Sequence, residues 1–74
     1  MWKLDILPQY LKDHGMELVE DEDFVILLHE HEWIARYGHS GSFAGMVADA
    51  RAHLAERHGI RFDYTGRVLE AAGA

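Results

Sequence analysis

The chain predicts an α+β fold: a three-stranded antiparallel sheet in α-β-β-β-α order, two helices on one face, and an extended or short helical C-terminal tail. Three observations carry this reading. Two β-rich runs, FVILL and WIARY, flank the polar residues His29 to Glu32 and contain no Gly or Pro, as a hairpin requires. Phe43, Met46, Val47, Ala50 and Leu54 form a helical apolar stripe between Ser42 and Gly59. Leu7, Tyr10, Leu11 and His14 repeat the same spacing earlier in the chain.

Asp5 is the expected cap of a first helix over residues 6–14. Pro8 falls in its first turn and Gly15 stops it. A strand over residues 16–19 follows, and then the acidic turn Glu20-Asp21-Glu22-Asp23. That turn lacks the D-x-D-x-D-G spacing and the distal Glu of a calcium loop, so it reads as a solvated turn.

In the hairpin, a four-residue connection sets Leu28 opposite Trp33, Ile26 opposite Ala35 and Phe24 opposite Tyr37. Alternation then gives one face Phe24, Ile26, Leu28, Trp33, Ala35 and Tyr37, and the other Val25, Leu27, Ile34 and Arg36. Charge is absent from the first face, which makes it the expected core. Pairing across the acidic turn adds Met16 and Leu18 to the second.

The Gly38-His39-Ser40-Gly41-Ser42 loop leads into a second helix over residues 43–58. Ser42 is its cap, Arg57 and His58 suit its C-terminal dipole, and Gly59 is its stop. Residues 60–64 alternate as a strand does, and Thr65 can cap a last short helix over residues 67–72. The whole is one domain, residues 1–74, with residues 60–74 as a tail or arm.

The α-β-β-β-α order resembles that of double-stranded-RNA-binding domains and of small toxins of the mRNA-interferase type. The first resemblance implies lysines opening the last helix, where this chain has Ser42-Phe43-Ala44-Gly45-Met46. The second implies a Gly-Ser-His group on the sheet, and the hairpin has no such triplet.

Seventy-four residues bury only roughly 60% of their unfolded surface, so packing needs support from an ion or from association. There is no cysteine, hence no disulfide and no thiolate metal ligand. The net charge of −6 belongs to residues 1–37, where three cations face nine carboxylates; residues 38–74 balance four arginines against four carboxylates. That asymmetry disfavours nonspecific nucleic-acid binding, which depends on Lys and Arg at phosphates. No apolar run reaches the roughly 20 residues of a membrane span, and a cytoplasmic protein without membrane contact is expected.

No catalytic residue, cofactor or metal is expected. Ser40 or Ser42 with His39 and Asp49 supplies the residue types of a hydrolase triad, but without a nucleophile elbow. The six histidines are the unusual feature. His29 and His31, two apart on a strand, are the candidate metal ligands, with His39 as a third; the ordinary alternative is an exposed polar loop. His14, His53 and His58 read as capping or solvated residues. The preferred expectation is a non-enzymatic interaction or regulatory module of bacterial or phage type. It would form a homodimer, or bind another protein, through the aliphatic sheet face, Met16, Leu18, Val25, Leu27 and Ile34; the alternative cover for that face is the chain's own Ile60-Phe62-Tyr64 tail folding back, which gives a compact monomer. A nucleic-acid module of double-stranded-RNA-binding shape and a histidine metal site are the alternatives.

Overall fold

A computed structural model describes residues 1–71. The elements in order are β1 (Trp2–Leu4), α1 (Gln9–Lys12), β2 (Met16–Glu20), β3 (Val25–His29), β4 (Glu32–Tyr37), α2 (Phe43–His58), β5 (Ile60–Phe62) and β6 (Val68–Ala71). β1 to β4 form a four-stranded antiparallel sheet in that order, and β5 and β6 form a second, two-stranded sheet. The class is α+β, with four strands in the main sheet rather than three and one main helix rather than two.

The extra strand is β1, which pairs with β2 through Lys3 opposite Val19 and Leu4 opposite Leu18. Three residues are too short to register an alternating pattern in sequence. α1 is one turn only. Pro8 occupies its N-cap position with ψ 145° and no side-chain cap. Proline disfavours helical conformation in the residue before it, so the helix cannot extend back toward Ile6. Asp5, freed from capping, pairs with Lys12 at 2.6 Å. Leu7 and Leu11 nevertheless reach the core as their spacing requires.

α2 forms over the expected residues. Ser42 Oγ accepts from the Gly45 amide at 3.2 Å, and Gly59 closes the helix in the left-handed region at φ 66°. Met46, Ala50 and Leu54 are its buried stripe.

The hairpin turn is tighter than a four-residue connection. His29 pairs with Glu32, and Glu30 and His31 alone make the turn, both at positive φ (49° and 71°). Two left-handed residues are the signature of a type I′ turn, whose twist matches that of the strands. The register then slips between Leu27 and Leu28: Trp33 pairs with Leu28, but Ala35 pairs with Leu27, leaving Ile34 as the bulged residue. One inserted residue exchanges faces for everything beyond it. Ala35 and Tyr37 therefore join Val25 and Leu27, while Arg36 joins Ile26 and lies 4.5 Å over the Phe24 ring.

This corrects the choice of core face. Leu11, Met16, Leu18, Val25, Leu27, Met46, Ala50, Leu54 and Phe62 belong to one buried cluster, so the aliphatic face meets α2. The absence of charge from the aromatic face was a property of the unbulged register, and the bulge removes it by placing Arg36 there.

The strand expected over residues 60–64 forms as β5, but β6 pairs with it, so residues 60–71 are a hairpin and not a free or helical tail. Asp63 accepts from the amides of Thr65 (2.8 Å) and Arg67 (3.0 Å) and from the Thr65 hydroxyl (2.6 Å), and Gly66 sits at φ 90°. Those bonds hold the Asp63 carboxyl below its ordinary pKa and use Thr65 in a turn, where it cannot cap a helix. The final residue of the expected helix, Ala72, lies outside the described residues. Arg51 of α2 anchors this hairpin by donating to the carbonyls of Phe62 (2.9 Å) and Asp63 (3.0 Å). No helix among the described residues is long and apolar enough to cross a membrane.

Candidate functional site

Two features of this architecture bear on function: the sheet face turned away from α2, and a cluster of histidines beneath the hairpin. On the open face, Lys3, Val19, Ile26 and Arg36 stand in one cross-strand row, with Leu28 beside Trp33 in the next. Phe24, Ile26 and Leu28 remain half-exposed, and Trp33 is 58% exposed. The apolar middle is bordered by cations at Lys3 and Arg36 and by an anion at Glu17.

Of the expected interface residues, Met16, Leu18, Val25 and Leu27 are buried and Ile34 is half-buried against them. Their cover is the chain's own α2 and hairpin, so they are unavailable to a partner in this fold.

The histidine cluster joins three positions distant in sequence. His29 ends β3 on the helix side of the sheet, because the Val25, Leu27, His29 alternation points inward. It is 7% exposed, the one buried polar or charged side chain among the described residues. His53 and His58 come from the last turns of α2. The candidate ligand atoms of all three lie within 4.8 Å of one another. The ring centroids are 4.9 Å apart for His29 and His53, and 4.6 Å for His29 and His58.

The tautomer of His29 follows from its partners. Its Nε2 lies 3.0 Å from the His14 carbonyl oxygen, which can only accept, so Nε2 carries the hydrogen. Nδ1 is then the acceptor, and His53 Nε2, 3.1 Å away, donates to it. Burial holds the His53 pKa below its ordinary value, reinforced by His29 and His58 and opposed by Glu32. Glu32, opposite His29 in the hairpin, lines an open cleft of about 450 Å³ with Trp33, Ile34, His53, Arg57 and His58.

Only one of the three sequence-derived metal candidates is in this cluster. His31 projects from the turn with its Nδ1 3.3 Å from Glu17, and His39 sits 3.6 Å from Glu20. The i, i+2 rule fails because a type I′ turn begins between His29 and His31. His53 and His58, read as capping or solvated residues, are brought to His29 by the packing of α2. Their only signal in sequence was position: both lie late in a helix whose stop is Gly59.

The hydrolase residue set is not assembled. Asp49 accepts from the Tyr37 hydroxyl at 2.8 Å, and Ser42 is committed to the helix cap. Burial raises the Tyr37 pKa, and the Asp49 carboxylate adds to the effect. In the acidic turn, Asp21 accepts from the amides of Phe24 (2.7 Å) and Asp23 (2.8 Å), which lower its pKa and give the turn a structural role.

The protein is thus a small α+β domain with one open sheet face and one inward histidine cluster. No known family, curated protein or solved structure matches the chain.

Proposed function

We propose that the protein is a non-enzymatic interaction module that self-associates by packing the open face of its main sheet against the same face of a second copy. The single observation behind this reading is that α2 and the β5–β6 hairpin both pack on the other side. Phe24, Ile26, Leu28 and Trp33 are left as a contiguous apolar strip. An apolar middle with a polar rim is the anatomy of a protein interface.

Charge favours a second copy as the occupant. The face carries Lys3 and Arg36 as well as Glu17, so a two-fold arrangement can set a cation of one copy against the anion of the other. A chain with thirteen carboxylates against seven lysines and arginines offers less to a polyanion, and for the nucleic-acid alternative we expect no gel shift even at low salt.

Sedimentation equilibrium tests the proposal. A dimer is expected, with Ile26→Asp converting it to a monomer and Trp33→Ala weakening it. A wild-type monomer at high micromolar concentration, with Ile26→Asp changing neither mass nor solubility, overturns it.

A further inference from the structure

We infer that His29, His53 and His58 form a binding site for a divalent ion of the zinc class, its fourth position open to the cleft that Glu32 lines, clamping the C-terminal end of α2 to the β3–β4 hairpin. The donor set decides the class. Three imidazoles suit zinc and its transition-metal neighbours, whereas calcium and magnesium take oxygen ligands.

Preorganisation is the strongest argument. Metal-ligating histidines donate their second ring N–H to a carbonyl or carboxylate, which fixes ring orientation and directs the remaining lone pair. His29 does this with the His14 carbonyl at 3.0 Å, so its Nδ1 points at the cluster. The two nitrogens it brings together, His29 Nδ1 and His53 Nε2, are 3.1 Å apart. Two nitrogens on one tetrahedral zinc, each at about 2.0–2.1 Å, are separated by about 3.4 Å. A cation between them replaces the shared hydrogen, which moves to His53 Nδ1 as that ring changes tautomer. His58 is exposed and free to swing the remaining distance.

Charges around the site are mixed. Arg57 opposes a cation, while Glu32 and the negative end of the α2 dipole favour one. The physical return is a metal crosslink added to the packing and the Tyr37–Asp49 hydrogen bond that already join these elements, in a chain too small for a generous core and without cysteine. The cluster lies on the helix side of the sheet and its test reads bound metal rather than mass, so its failure is distinguishable from that of the self-association proposed for the opposite face.

The experiment is titration of chelator-stripped, untagged protein with zinc chloride, followed by calorimetry and by thermal melting. Saturable binding of one zinc per chain is expected, with a melting temperature raised by several degrees at excess zinc. His58→Ala removes an exposed side chain, leaves the circular dichroism unchanged, and weakens binding at least about tenfold. His31→Ala and His39→Ala bind as the wild type does. Cobalt in place of zinc gives the visible absorption of a tetrahedral site, lost in His58→Ala. Binding too weak to saturate at millimolar zinc overturns the assignment, as does saturable binding that is unchanged in both His58→Ala and His53→Ala.

Discussion

Replacing Leu27 by alanine tests whether the aliphatic sheet face is the chain's own core. Leu27 is fully buried, flanked in the sheet by Leu18 and Ala35, and belongs to the same cluster as Ala50 and Leu54 of α2. Truncating such a leucine costs about 2–5 kcal/mol, the transfer loss plus the cavity left behind. At roughly 0.05–0.15 kcal/mol per residue, a chain of this length has a total stability of roughly 4–11 kcal/mol, so the single change removes about half of it. Urea unfolding followed by tryptophan fluorescence reads the loss directly. The midpoint should fall with its slope unchanged, by the same amount at low and at high protein concentration, because the lost contacts are within one chain. A loss below about 0.5 kcal/mol, the range of surface substitutions, would refute the assignment. So would a loss that grows as concentration rises, since that would place Leu27 between copies.

Two smaller tests address the hairpin and the tyrosine beside α2. His31 occupies the left-handed region at φ 71°, which costs a residue with a Cβ about 1–2 kcal/mol; His31→Gly relieves this and should raise stability by roughly 0.5–1 kcal/mol after the entropy of the unfolded glycine is allowed for. An unchanged or lower urea midpoint would count against the two-residue turn. Tyr37, raised above its ordinary value of 10 by burial and by Asp49, keeps its proton in the folded chain where the unfolded chain has lost it. Its contribution is therefore complete below pH 10 and declines above it, by at most about 1.4 kcal/mol per pH unit for one proton. Between pH 9 and 11 the wild type should lose more stability than Tyr37→Phe, and equal losses would remove Tyr37 from the explanation.

Much of the fold could be read from residues that act on their immediate neighbours. Ser42, the Phe43–His58 stripe and Gly59 specify α2 without reference to anything distant. Val25 to Leu27 and Glu32 to Tyr37 declare strands through β-branched and aromatic content. The apolar character of both sheet faces was likewise written in the sequence, and so was the absence of cysteine ligands.

Tertiary structure decided which face is covered. The bulge at Ile34 moves Ala35, Arg36 and Tyr37 across the sheet, and a one-residue slip leaves no trace in an alternating pattern. It also decided the membership of the histidine cluster. His29 meets His53 and His58 only because α2 packs on the inner face, bringing together side chains that are 24 and 29 positions apart. Sequence alone settles what is local, because caps, turns and periodicity operate over a few residues. The open sheet face and the histidine site depend on long-range packing, which no window along the chain contains.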